Sequence, residues 1–267
     1  MSSYVISDIH GCYNELRSML EKICFSETDF LILAGDSIDR GKQSYEILCW
    51  MEQRPANILF LRGNHEEEFV SYIDLMLTVD RSEELNTDFS SHADTAALYE
   101  SVKYLFRKKE LPMAYFDLYG TIGILLEQNR VTLNDLCGWS EMIRKMPYYK
   151  KLEAAGRKYV VVHAGYAENL EDICGHFESL EQFYLYAREE SFQSGGIRHG
   201  TIIAGHTPTT VKKSFAYNEG NVFCCYNAGK DCLFYDIDCG CGCAFRYREL
   251  GAKLACIRLE DEKIFYL

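Results

Sequence analysis

At 267 residues, with 48% hydrophobic and 25% charged side chains, the chain can bury a sizeable core without disulfide staples and has the composition of an ordinary soluble globule. A formal net charge of −12, with no cluster of Lys and Arg, argues against nucleic acid as a partner, and no apolar stretch is long enough for a membrane span. Strand-forming residues begin at Tyr4 and leave no space for a signal peptide, so the twelve cysteines are expected to be reduced thiols in a cytoplasmic protein.

The first apolar run, residues 4–6, predicts a strand that ends at Ser7-Asp8-Ile9-His10-Gly11. A helix is predicted over 12–24, with Leu16, Met19, Leu20 and Ile23 on one face. A second strand, 30–33, runs into Gly35-Asp36-Ser37-Ile38-Asp39-Arg40-Gly41, and a helix over 43–53 follows with Ile47, Leu48 and Met51 aligned. A third strand, 58–61, runs into Arg62-Gly63-Asn64-His65-Glu66 and completes a βαβαβ pattern. From about 67 to 149 helical periodicity takes over, at 69–79, 93–106 and 133–146, with loops expected at 80–91 and 112–123. This block reads as a helical insertion within a single catalytic domain spanning 1–267. Its aromatics (Tyr99, Tyr104, Phe106, Tyr115, Phe116, Tyr119) could stack a nucleobase, although aromatics at helical spacing more often fill a core. Further strands are predicted at Tyr159, leading to His163-Ala164-Gly165, at 201–204, leading to Gly205-His206-Thr207, and at Val222 and Leu233. A closing pair, 254–259 and 264–267, flanks the acidic turn Glu260-Asp261-Glu262-Lys263. The class is α/β (α+β); two sheets packed face to face under outer helices, or one mixed sheet, would satisfy the pattern.

Five polar segments thus end strands, where open α/β folds place their chemistry, and they are expected to converge. Asp8 and His10, one residue apart, can turn toward one ion in an extended loop. Asp36 has two carboxylate oxygens and can bridge two cations about 3.5–4 Å apart. Asn64, His163 and His206 would complete a second ion, and the mixed nitrogen and oxygen donors favour two divalent ions of manganese, with iron or zinc as alternatives. Such a pair lowers the pKa of a shared water, so that hydroxide can attack phosphorus in line. Arg40 and Arg62 lie beside the metal loops, where guanidinium forks grip phosphate oxygens. His65 follows Asn64 and can reach the opposite side of the phosphate as general acid, with Asp39 expected to orient its ring and raise its pKa.

These segments resemble the phosphoprotein phosphatase family of calcineurin-like metallophosphoesterases, specifically its bacterial serine/threonine phosphatase branch. The blocks G-D-x-H-G, G-D-x-x-D-R-G, G-N-H-E, H-x-G and G-H-T occur in the family's order, with Ser7 replacing the first glycine and Ala164 in the H-x-G block. The resemblance implies a four-layer αββα sandwich with metals at its loop edge. It also implies that Asp8, His10 and Asp36 hold one metal and Asp36, Asn64, His163 and His206 the other, while Arg40, Arg62, His65 and Asp39 keep the roles above. Tyr186-Ala187-Arg188 resembles the family's aromatic-x-Arg element, which would make Arg188 a third phosphate clamp. Ile237-Asp238-Cys239-Gly240 resembles its late Ile-Asp-Thr-Gly turn, which would make Asp238 structural.

The expected activity is metal-dependent phosphomonoester hydrolysis, with a serine/threonine protein phosphatase placed first on the intact Asp39-Arg40-Gly41 and a phosphoprotein or small phosphate ester as substrate. The alternative is a symmetrical dinucleoside tetraphosphatase, which shares most of these motifs, or another small phosphate-ester hydrolase. An inactive scaffold is a remote reading, because the ligand set, His65 and both nearby arginines are all present. Cys224, Cys225, Cys232, Cys239, Cys241 and Cys243 read as reduced small residues ahead of a redox sensor or a zinc site, since paired spacing of two to four residues is not cleanly repeated.

Overall fold

In the computed structural model, which describes residues 1–53, 56–80, 95–108, 120–128, 131–243 and 251–267, short parallel strands carry the first three motifs. They are β1 (Ser3–Ile6), β2 (Phe30–Leu33) and β3 (Ile58–Phe60), joined through α1 (Tyr13–Lys22) and α2 (Ser44–Gln53). The helices form because their apolar residues fall on one stripe: Leu16 and Met19 of α1, and Ile47, Leu48 and Met51 of α2, are buried. A hairpin of β9 (Ala255–Arg258) and β10 (Lys263–Tyr266) joins β1 antiparallel, giving the order β10-β9-β1-β2-β3. A second sheet has the order β4-β5-β6-β8-β7, from β4 (Tyr149–Ala154), β5 (Arg157–Val162), β6 (Gly200–Ala204), β7 (Phe223–Asn227) and β8 (Cys232–Asp236).

The two-residue period of the strands sorts side chains into separate cores. Tyr4, Ile6, Leu31 and Leu33 face α1, α2, α3 (Asn64–Asp80) and α6 (Leu133–Arg144). Val5, Ile32 and Ile257 face Val161, Ile203 and Ile237 across the gap between the sheets. Val160, Val162 and Ile202 face α7 (Leu180–Tyr186) on the far side. Helices, sheet, sheet and helices therefore stack as an αββα sandwich, and the single mixed sheet is excluded.

Differences from the sequence reading have local causes. β4 lacks a buried face for most of its length, so as an edge strand it gives no apolar signal. α5 (Thr121–Glu127), α7 and α8 (Glu190–Gln193) are too short for a helical period to stand out, and α5 occupies 121–123, where a loop was expected. α3 starts at Asn64, so the helical block begins inside the third motif rather than near residue 67. In α4 (Thr95–Lys108), Tyr99 is buried and Tyr104 exposed. The Phe106 side chain, Tyr115, Phe116 and Tyr119 lie outside the described residues, with most of the loops expected at 80–91 and 112–123. Among the described residues no helix is long and apolar enough to cross a membrane. Cys232, Cys239 and Cys241 are buried free thiols, Cys224 is exposed, and the Cys243 side chain is outside the described set.

Candidate metal centre

The motif loops leave the C-terminal ends of β1, β2, β3, β5 and β6 and are tied to one another by backbone hydrogen bonds. The His10 N–H donates to the Asp36 carbonyl at 2.9 Å and the Gly11 N–H to the Ser37 carbonyl at 2.8 Å, which aligns the first two loops. The Gly205 N–H donates to the His163 carbonyl at 2.8 Å, and the His206 N–H to the Asp8 carboxylate at 3.0 Å, so the second sheet's loops join the first's. Asp8, His10, Asp36, Asp39, Arg40 and His206 all adopt left-handed backbone, with φ of 51°, 42°, 51°, 70°, 64° and 71°. Each such residue costs about 1–3 kcal/mol, which the contacts around it must offset, and six of them gather at this one edge. Gly63 and Gly205 allow the loops to meet: a Cβ would lie 2.3 Å from Asp36 Oδ1 at the first and 2.0 Å from Asp8 Oδ2 at the second.

Asp36 sits at the centre. Its Oδ2 is 3.5 Å from His10 Nε2 and 3.8 Å from His65 Nε2, and its Oδ1 is 3.3 Å from His163 Nε2. His163 Nε2 is also 3.0 Å from Asn64 Oδ1 and 3.1 Å from His206 Nδ1. Asp8 Oδ1 lies 3.9 Å from His10 Nε2, and Asp8 Oδ2 accepts the Ser7 hydroxyl at 2.6 Å. All six expected ligands are thus brought together, from loops up to 198 positions apart. Among the described residues, two groups can each surround an ion, His10–Asp36–His65 and Asp36–His163–His206, and they share Asp36. The first differs from the sequence reading in containing His65 instead of Asp8.

The donors fit a divalent transition ion. Each of His10 and His163 anchors Nδ1 on a backbone carbonyl, Ile38 at 3.0 Å and Ala34 at 3.1 Å, which turns Nε2 toward Asp36. His10 Nε2 is buried without a hydrogen-bond partner, a state that a metal ligand resolves. Burial, then the Arg40 charge, push His10 well below the usual imidazole range, and burial, then His163, do the same to His206. Both rings are therefore neutral and present lone pairs. Burial opposes ionisation of Asp36, but His163 and then His65 beside it hold it below the usual carboxylate range. Among the described residues neither ion-sized group contains a cysteine.

Alongside lies the expected dyad: His65 Nδ1 is 2.6 Å from Asp39 Oδ2, and His65 Nε2 is 3.2 Å from Arg40 Nη2. Burial penalises the charged His65 ring, but Asp36 and the bond to Asp39 outweigh it and push the pKa up to about 9. Burial and then Asp36 raise Asp8 as well. A folded pKa above the unfolded value stabilises below the unfolded pKa and is lost as pH rises through the folded one. For His65 that window runs from 6.5 to about 9, worth about 3 kcal/mol in the metal-free protein, and Asp8 acts in the same direction. Melting in a chelator should therefore show a lower midpoint at pH 9 than at pH 6.5, with added manganese closing the gap; a midpoint that rises with pH rejects the assignment.

The calcineurin-like phosphoesterase model matches residues 1–233. The chain belongs to this family. Symmetrical bis(5'-nucleosyl)-tetraphosphatases are among its relatives: one from Buchnera aphidicola subsp. Baizongia pistaciae is 36% identical over 124 residues, 45% of each chain, and one from Wigglesworthia glossinidia brevipalpis is 46% identical over 67 residues, 25% of each. The chain therefore matches less than half the length of these relatives. A candidate diadenosine tetraphosphatase (TM-score 0.53, 14% identity) and a Saccharomyces cerevisiae protein serine/threonine phosphatase (0.52, 13%) share the fold over 100% of this chain and 92% and 79% of theirs.

Within this phosphoesterase edge the arginines differ in placement. Arg40 stands over His65. Arg188, exposed just beyond α7, reaches Thr207 Oγ1 at 3.5 Å beside His206. Arg62, expected to clamp phosphate, is instead buried: its Nη1 donates to Glu67 and to the Tyr148 hydroxyl at 3.0 Å each, its Nη2 to the Arg144 carbonyl, and its guanidinium stacks 4.8 Å from the Tyr148 ring. Here it braces α3 against the end of α6. Asp238 is buried and accepts the Gly240 N–H at 2.9 Å, closing a turn. The sequence reading gave no role to Glu66, whose buried carboxylate accepts the backbone N–H groups of Asp36 (2.8 Å), Ser37 (2.7 Å), Ile38 (3.4 Å) and Gly63 (2.9 Å). Its position in the first turn of α3 was the available signal.

Proposed function

We propose that the chain is a two-metal phosphoric ester hydrolase that cuts a dinucleoside tetraphosphate symmetrically into two nucleoside diphosphates. The carboxylate of Asp36, shared between two ion-sized donor groups, the first of which includes His65 of the Asp39–His65 dyad, carries the hydrolase assignment. The named activity of the relatives supports the substrate and moves the serine/threonine phosphatase expectation to second place.

Two divalent cations, manganese by preference, held by Asp8, His10 and Asp36 and by Asp36, Asn64, His163 and His206, would supply the Lewis acidity that activates the attacking water. The protein's own groups do the rest. Arg40 and Arg188, at the rim, grip phosphoryl oxygens and draw a polyanion to a chain of net charge −12. As water adds to phosphorus, the bond to the bridging oxygen breaks, and that oxygen takes the proton from His65 Nε2 while Asp39 holds Nδ1–H. Arg62 keeps the Asn64–His65 turn in place from behind.

Rates with manganese on diadenosine tetraphosphate and a phosphoserine peptide test the reading. The tetraphosphate should give the higher kcat/KM, with ADP as the only nucleotide product and no turnover in chelator. Preference for the peptide would move the assignment to a protein phosphatase, and inactivity on both would restore the scaffold.

A further inference from the structure

Both oxygens of Asp39 are taken, and from different parts of the chain. Oδ2 holds His65 Nδ1 at 2.6 Å, while Oδ1 accepts the Thr121 N–H at 2.6 Å and the Thr121 hydroxyl at 2.5 Å. The same Thr121 oxygen accepts the Asp39 N–H at 2.9 Å, so the threonine grips the side chain and the backbone of one aspartate. Thr121 is 2% exposed and begins α5, within the helical block, 82 positions from Asp39. Its grip falls on a strained turn: Asp39 and Arg40 are consecutive left-handed residues, at φ 70° and 64°. That turn presents the dyad carboxylate on one residue and, on the next, the Arg40 guanidinium 3.2 Å from His65 Nε2.

We propose that Thr121 is a positioning residue for leaving-group protonation: by filling Oδ1 with two donors it fixes the plane of the Asp39 carboxylate, and through Oδ2 the ring of His65. This rests on the hydrolase reading with His65 as acid. A carboxylate is an acceptor only, so three donors from Thr121 and His65 leave it one orientation, with His65 Nδ1–H pointed at Oδ2 and Nε2 toward the metals. Loss of the hydroxyl leaves Oδ1 with the residue-121 N–H as its one remaining donor from this position and the Asp39 N–H with only Ser44 Oγ, at 3.2 Å, so the carboxylate plane is held less firmly. The aim of the acid thereby depends on how the helical block seats against the metal loops, so contacts that a substrate makes with that block are felt at the proton donor.

Thr121→Val, Thr121→Ala, Thr121→Ser and His65→Asn test this. In the ¹⁵N-labelled metal-free protein, a far-downfield His65 Nδ1–H resonance should be present in wild type and Thr121→Ser, absent in His65→Asn, and broadened by exchange with water in the Val and Ala variants. With manganese and diadenosine tetraphosphate, Val and Ala should lower kcat about tenfold, the weight of one hydrogen bond to a charged group, with KM unchanged, and Ser should restore it. An unaltered resonance and kcat in both Val and Ala would overturn the proposal, and if Val fails to fold, Ala alone decides. If His65→Asn retains full kcat, the acid role fails by itself, while the resonance still reports whether Thr121 aligns the dyad.

Discussion

Asparagine in place of Asp36 is expected to lower turnover at least about a thousandfold and to leave a single manganese per chain. The two ion-sized groups have this carboxylate in common, one oxygen facing His10 and His65 and the other facing His163. Asparagine removes the charge and replaces one oxygen with an NH₂ that can only donate, so whichever way it turns, one group loses its acceptor. Folding should survive, because the backbone of residue 36 keeps its bonds, N–H to Glu66 and carbonyl from His10. Metal analysis of the purified variant, beside its rate on diadenosine tetraphosphate, gives the answer. Two tightly held ions with wild-type turnover would show that Asp36 bridges nothing.

Leucine at Glu66 is expected to act through the fold. The Glu66 carboxylate is the buried acceptor for backbone N–H groups of Asp36, Ser37, Ile38 and Gly63. Each orphaned buried donor costs about 1–3 kcal/mol, so together they approach the roughly 5–15 kcal/mol that keeps a typical domain folded. Glu66→Leu should be largely unfolded or insoluble. Glu66→Gln, which retains one acceptor oxygen, should fold with a stability loss of a few kcal/mol and weakened manganese binding, since the Asp36 loop loses part of its support. Urea unfolding of both variants measures this, and a leucine variant within about 1 kcal/mol of wild type contradicts it.

The convergence of the candidate ligands was legible because each motif is contiguous: an apolar run of three or four residues fixes a strand, and the polar residues that follow must emerge at its end. What stayed hidden depends on long-range partners. Arg62 reads as a phosphate clamp from its neighbours, yet Tyr148 and Arg144, more than eighty positions on, hold it in place. Thr121 lies in a stretch read as loop, and nothing local links it to Asp39. β4 faces water along most of its length, so the burial that marks other strands is missing. The choice between phosphoprotein and dinucleoside polyphosphate was not legible either, because the motifs describe the reacting phosphate and not what hangs from it.

The position of β1 between β2 and β9 has a consequence for biosynthesis. Ser3 pairs its N–H with the Glu260 carboxylate and its carbonyl with the Leu259 N–H, a separation of 257 positions for the first of these bonds. At roughly 5–20 residues per second, a ribosome takes tens of seconds to supply that partner. Throughout that interval the nascent chain displays an unpaired edge of Tyr4, Val5 and Ile6, three residues that are buried in the finished sheet. Overexpression in warm cultures should accordingly favour inclusion bodies, and cooler, slower synthesis with holdase chaperones should recover soluble material.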